Sequence, residues 1–376
     1  MKIAILTLPF HANYGGILQA YALQKVLRDK GHDVVMAQGE VYSTRYSKKR
    51  WPLFWAMRIA PQLMTKIVPR LKGEYVRNPR DFIVARRNLR EFVYSNMNIG
   101  PLLNEHNING LDVAIVGSDQ VWRPQYGNID YFTLGFMKNW KGRKIAYAAS
   151  FGTDDVNFTA NEKQSFQSNV RTFNCVSVRE HSGISICTNL CGIETYQVLD
   201  PTLLLSRKEY ESLITKNYQH KGLYYYVLDA TKELMEKIYC LAKDLQLPNY
   251  TVSPKAGIDG NWNRREITRE MLYIPEVEEW IDGFISAQYV VTDSFHGTVF
   301  SILFHRPFLT IVNKGRGEER VKDLLNQIGL SDRLINNPEE ISKARIVNPI
   351  NWVQVDNRID NLKEKSLTFL FNGLKI

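Results

Sequence analysis

The chain has 376 residues, of which 44% are apolar and 23% charged; this is enough hydrophobic material for two cores and excludes a disordered chain. It holds no uncharged apolar run of about 18 residues, and its start lacks the basic stretch, apolar core and cleavage site of a secretion signal, so a soluble cytoplasmic protein is expected. The net charge of +9 is concentrated in one segment, because residues 41–100 carry 13 Lys and Arg against 3 Asp and Glu.

In chain order, residues 2–8 form an apolar strand, and Leu18, Tyr21, Ala22 and Val26 then recur at helical spacing. Gly31 stops that helix and residues 33–37 return as a strand, which makes a βαβ unit. In the basic segment, Lys48, Lys49 and Arg50 run into Trp51, Phe54 and Trp55, with Lys66, Arg70 and Lys72 following. Cations flanking an aromatic apolar stretch suit an anionic lipid surface. The other reading is a helical insertion whose aromatics join the core. Nucleic acid is not expected as a partner, since no zinc-finger, RNA-recognition or helix-turn-helix pattern accompanies the charge.

Short apolar runs resume at 113–116, 144–148, 176–178 and 197–199, each ending in small or polar residues. A second series follows at 222–228, 250–252, 287–292 and 308–312, separated by helical patterns such as 232–245 and 317–328. Runs of this kind, spaced by helices, indicate two α/β domains with mostly parallel sheets covered on both faces. Asn351 and Gln354 pair as a cap, and Trp352, Val355, Ile359 and Leu362 mark a docked terminal helix. Cys175, Cys187, Cys191 and Cys240 read as reduced packing residues, because their spacing is not that of a metal site.

In doubly wound folds the ligand crevice lies at the carboxyl ends of the strands. The segment YVVTDSFHGTVFSILFHR (289–306) reads as a strand, a tight loop and a helix beginning near Gly297 or Thr298, which puts His296 at a helix N-terminus. There the imidazole is suited to act as a general acid once an anionic substrate arrives, oriented by Asp293 or Ser294; a structural histidine closing the turn is the alternative. Arg179 is placed to grip carboxylate or phosphate, or to pair with Glu180. Asp119, with Ser118 and Gln120, suits sugar hydroxyls or caps the next helix. Gly15 and Gly16, after Asn13 and Tyr14, permit close backbone approach at the first strand–helix turn without forming a dinucleotide fingerprint. Asn313, Lys314, Arg316 and Arg320 bring three cations together, either for a ligand or as a solvated helix start.

The ordered set NYGGILQAYAL (13–23), VGSDQVW (116–122), YAASFG (147–152), SVRE (177–180), LDPTLLL (199–205), TDSFHGTVFSILF (292–304) and ERVKDLLNQIGL (319–330) resembles the polysaccharide pyruvyl transferase family. The resemblance implies two Rossmann-like doubly wound α/β domains in a GT-B-like arrangement. Their expected bounds are 1–205 on the acceptor side, with a basic helical insertion at 41–105, and 206–345 on the donor side, with 346–376 packing back on the body. It implies transfer of pyruvate from phosphoenolpyruvate, as donor substrate, onto two hydroxyls of a sugar as a ketal; no metal-ligand cluster is evident in the sequence, and no cofactor or metal is expected. The acceptor expected is a capsule or exopolysaccharide sugar or its lipid-diphosphate-linked precursor, met at an anionic membrane surface through residues 45–72.

In this frame His296 and Asp119 are the expected catalytic pair. Arg179, Ser294, Gly297, Thr298, Lys314 and Arg320 are expected on the donor, and Asn13, Tyr14, Gly15, Gly16, Ser118 and Gln120 on the acceptor. The family's arginine-leucine-histidine block reads Ser294, Phe295, His296 here, so its arginine is absent and Arg320 or Lys314 is expected to supply the charge. The competing readings are a nucleotide-sugar glycosyltransferase of the same frame and a non-catalytic saccharide-binding protein.

Overall fold

Ile3, Ala4, Ile5 and Leu6 are all fully buried, so the strand they form has apolar matter on both faces and no solvent side. In the computed structural model, which describes residues 1–10, 13–38, 87–253 and 274–375, this strand, β1 (Lys2–Leu6), lies inside a seven-stranded parallel sheet. The sheet continues through β2 (Asp33–Ala37), β3 (Ile99–Gly100), β4 (Val113–Val116), β5 (Arg143–Ala149), β6 (Cys175–Val178) and β7 (Tyr196–Gln197), in the spatial order β3-β2-β1-β4-β5-β6-β7. The first strand ends two residues before the expected limit. Pro9 follows close behind and has no N–H to give a ladder.

Helices α1 (Tyr14–Asp29), α2 (Arg87–Asn96), α3 (Ala160–Val170) and α4 (His181–Cys191) connect these strands. Asn13 caps α1 by accepting a hydrogen bond from the Gly16 amide at 3.2 Å. The insertion is expected to run to residue 105, but residues 99–100 join the sheet and residues 87–96 form a helix beside it. Ile99 pairs with Met36, and α2 buries Leu89, Phe92 and Val93 as the crossover helix between β2 and β3. The expected membrane footing, residues 45–72, lies outside the described residues. Among the described residues no helix is long and apolar enough to cross a membrane.

The second half forms a five-stranded parallel sheet in the order β12-β11-β10-β8-β9, from β8 (Gly222–Tyr226), β9 (Asn249–Tyr250), β10 (Ala287–Thr292), β11 (Phe308–Ile311) and β12 (Leu334–Ile335). Its helices are α5 (Lys232–Leu245), α6 (Val277–Ser286), α7 (Phe295–Leu303) and α8 (Glu319–Ile328). In α5, Leu234, Met235, Ile238, Leu241 and Ala242 are buried at steps of one, three and four residues, Thr231 caps the start, and Gln246 in the left-handed region ends it. Both sheets reverse strand order next to a central strand, and at both reversals the strands' carboxyl ends face the seam between the halves. The result is two Rossmann-like doubly wound domains in a GT-B-like arrangement.

Helix α9 (Trp352–Leu374) ties the halves together. At its start His305 meets Asp356 at 2.9 Å and stacks on Trp352; farther along, the Ser366 hydroxyl accepts from Leu199 N at 2.9 Å and the Gly373 carbonyl accepts from Arg143 Nε at 2.7 Å. All four cysteines are free, and burial pushes the Cys175 and Cys191 thiols up to about 11. Cys240 departs from the expectation of a packing residue, because it sits on the exposed side of α5.

Candidate active site

The base of the site is a buried ion-pair cluster at the ends of the first sheet's strands. Arg179, one residue past β6, places Nη1 2.5 Å from Asp200 Oδ2 and Nη2 3.1 Å from Asp119 Oδ1. Asp200 follows β7, and its other oxygen accepts from the Thr202 amide at 2.9 Å and the Thr202 hydroxyl at 2.6 Å. Burial works against the charge on Asp200, but the imidazole of His296 and the guanidinium of Arg179 outweigh it and hold the carboxyl well below the ordinary range. Asp119 is likewise penalised by burial and likewise held low, by Arg179, His296 and Arg320. The alternative read for Arg179, a pair with Glu180, is not formed. Glu180 turns the other way and accepts from the Ser150 hydroxyl and the amides of Phe151 and Gly152.

The second half closes over this base. Ser294 caps α7 by accepting from the Gly297 amide at 3.3 Å, so the helix starts at Phe295, two residues earlier than expected, and His296 lies inside its first turn. His296 Nε2 stands 3.6 Å from Asp200 Oδ2, across the seam. Its ring rests directly on Gly15 of α1, where a Cβ would fall 2.0 Å from Nδ1. The close approach that the paired glycines permit is therefore filled, at Gly15, by His296. Neither residue expected to orient the imidazole does so. Asp293 accepts instead from Leu228 N at 2.7 Å and Asp229 N at 3.0 Å, and burial raises its pKa. Ser294 is spent on its cap.

Arg320 projects from α8 with Nη1 3.8 Å from Asp119 Oδ1. Its Nε and Nη2 donate to the carbonyls of Gly317 and Arg316. Burial, with Arg179 close by, pushes its pKa down to about 10. The loop before it is pressed on the first half: Gly317 has φ 85°, and a Cβ there would lie 2.3 Å from the Gly152 carbonyl. At the rim, Arg316 grips Asp229 at 2.5 and 2.8 Å.

These groups surround a cavity of about 380 Å³ between the halves, with Asn13, Asp119, Gln120, Phe295, His296 and Arg320 in its wall. Gly16 and Ser294 also face it. Arg179 lies one layer behind, and Ser118 is fully buried with its hydroxyl donating to the Ala148 carbonyl. Gly297 packs on Thr292, and the Thr298 hydroxyl donates to the Ser294 carbonyl; both are interior. Tyr14, expected on the acceptor, stacks on Trp280 at 5.4 Å and donates to the Pro275 carbonyl, which makes it a link between the halves. The side chain of Lys314 lies outside the described atoms.

Sequence reasoning missed Asp200 and Phe295 as site members, while Arg316, one of the three cations grouped near the second domain's end, lines the cavity. Asp200 was visible as the polar stop after an apolar run and within the LDPTLLL block, and nothing local marked it as the counter-ion of Arg179.

A family model described as polysaccharide pyruvyl transferase matches residues 13–315. The chain belongs to the polysaccharide pyruvyl transferase family. No curated protein matches it. Among solved structures, this pyruvyl transferase family member is similar to MurG of Acinetobacter baumannii, with 9% identity, a TM-score of 0.44, and coverage of 96% of this chain and 94% of that one. It is similar to the glycosyltransferase SnogD of Streptomyces nogalater, with 10% identity, a TM-score of 0.46 and 99% of each chain covered. It is also similar to a UDP-GlcNAc 2-epimerase of Neisseria meningitidis, with 10% identity, a TM-score of 0.47, and 98% and 100% covered.

The contact between Gly15 and His296 predicts a large effect from a small change in this transferase. Gly15→Ala is expected to displace the imidazole and lower turnover about 10²-fold, the order of loss carried by a misplacement of about 1 Å. Gly16→Ala, whose Cβ would meet Asn13 Nδ2 at 3.1 Å, should keep most activity. Steady-state rates of the two variants check this, and equal rates would show that Gly15 does not set the place of the ring.

Proposed function

We propose that this protein transfers pyruvate from phosphoenolpyruvate to two hydroxyls of a sugar in a cell-surface polysaccharide or its lipid-linked precursor, forming a ketal. The observation that carries the reading is that His296 and Arg320 of one half face Asp119 of the other across a single cavity. Phosphoenolpyruvate carries close to three negative charges, so its pocket needs cations. Arg320 stands in the cavity wall with its nearest carboxylate, Asp119, only at 3.8 Å, which leaves a guanidinium there able to take an anion.

In the reaction, the methylene carbon of the donor gains a proton and becomes a methyl group, and a sugar hydroxyl adds to C2. The second hydroxyl then attacks C2, the C2–O bond to phosphate breaks, and phosphate departs with the remaining proton. His296 is the acid in this scheme, with the Asp200 carboxylate offsetting the imidazolium charge. Asp119, held low by neighbouring cations, is a weak proton acceptor; it serves better as a counter-ion, to Arg179 at 3.1 Å and to Arg320 at 3.8 Å.

Binding and turnover test the reading. Phosphoenolpyruvate should raise the melting temperature where nucleotide sugars do not, and should release phosphate when a matching acceptor is present. Arg320→Ala is expected to weaken donor affinity about 10- to 100-fold, the range for a lost charged hydrogen bond. Unchanged affinity in both Arg320→Ala and Lys314→Ala would eliminate them as the replacement for the family's arginine.

The cationic aromatic segment at 45–72 supports a peripheral footing on the inner membrane face, where a lipid-linked acceptor would be met. Flotation with anionic vesicles should be sensitive to salt and lost on deleting 45–72. Binding that survives the deletion refutes the footing.

A further inference from the structure

Phe295 occupies a place that a plain core residue would not need. Its ring forms part of the cavity wall, with the Cζ of Arg179 4.7 Å and the Cζ of Arg320 5.4 Å from its centroid, and with the His296 ring 5.2 Å away. Three cationic or protonatable groups thus converge on one aromatic side chain. The two guanidiniums repel each other, and they are unequally matched with anions. Arg179 holds both nearby carboxylates at hydrogen-bond distance, whereas Arg320 has Asp119 only at 3.8 Å and two backbone carbonyls. The negative face of the ring, with Arg320 Cζ over it, is placed to offset part of that repulsion alongside the two carbonyls.

We propose that Phe295 is a positioning residue for the donor anion: its ring holds Arg320 at the cavity wall next to Arg179, so that Arg320 meets phosphate or carboxylate in a fixed orientation. The proposal rests on the anionic-donor reading above. It assigns to an apolar side chain a role exercised through charge distribution and not through volume alone. Leu fills much of the same space but has no quadrupole, so the two roles separate experimentally.

The test replaces Phe295 by mono-, di- and trifluorophenylalanine, which drain the ring face at nearly constant volume, with Phe295→Leu as a natural-residue control. Inorganic phosphate is titrated by calorimetry, and KM and kcat for phosphoenolpyruvate are measured in parallel. Phosphate affinity should fall stepwise, by about tenfold at three fluorines, which corresponds to ~1.4 kcal/mol. KM should rise in step while kcat stays level. A flat series, with Arg320→Ala still weakening phosphate binding, overturns the positioning role and leaves the donor reading intact. A stepwise series without turnover of phosphoenolpyruvate supports Phe295 and overturns the donor's identity. A wild-type protein that binds no phosphate overturns both.

Discussion

His296→Ala is expected to lower the rate of phosphate release about 10²- to 10⁴-fold while donor binding persists, because a positioned acid contributes that much and the guanidinium remains. The expectation rests on geometry. His296 is 3.6 Å from a carboxylate that stays ionised, stands in the wall of the cavity and is seated on Gly15, where only a residue without Cβ leaves room. Protonation of the donor's methylene carbon makes C2 electrophilic, and an imidazole in the cavity wall suits that step better than a carboxyl held ionised by cations. Single-turnover rates at saturating phosphoenolpyruvate, paired with calorimetric donor affinity, separate chemistry from binding. A variant that turns over at near-normal rate removes His296 from the mechanism.

Asp200→Ala is expected to cost about 1–3 kcal/mol of stability, because it removes one of the two carboxylates that hold the buried guanidinium of Arg179 and leaves Asp119 as its remaining partner. The same change removes the partner of His296, so activity should fall even in the fraction that folds. Asp200→Asn keeps the shape and tests the charge. In the wild type the folded-state pKa of Asp200 is held well below the value of about 3.9 expected in the unfolded chain. Its stabilising contribution is therefore complete above about pH 4 and fades as the pH falls through the lower, folded-state value. The Asn variant has no such contribution to lose, so its unfolding free energy should depend less steeply on pH between about 4 and 2. Urea unfolding across that range measures both slopes, and equal slopes would mean that the Asp200 charge is not linked to folding.

Much of the architecture was legible from short-range pattern. Residues 232–245 and 287–292 begin and end where periodicity and caps placed them, and Asn351 accepts from the Gln354 amide at 3.1 Å as their spacing suggested. The two-residue strands β3 and β12 were not, because two residues hold no alternation to read and their pairing depends on the neighbouring strand. Residues 87–96 were assigned to the basic insertion since they share its charge. Their apolar face, Leu89, Phe92 and Val93, is buried in the core, with Phe92 against Tyr21 of α1.

The site divides in the same way. A histidine in the first turn of a helix and an arginine past a strand end are recognisable because a cap, a dipole and a strand stop are each made by residues within a few positions of one another. The partners of those residues are not local. Arg179 meets residues 119 and 200, His296 meets 15 and 200, and Arg320 meets 119 and 295, so each pairing exists only once two sheets have been packed with their strand ends facing. Residue order along the chain was enough to establish which groups could carry charge at a crevice. Which carboxylate neutralises which cation, and which glycine must stay bare, follow from distances of a few ångströms that folding alone creates.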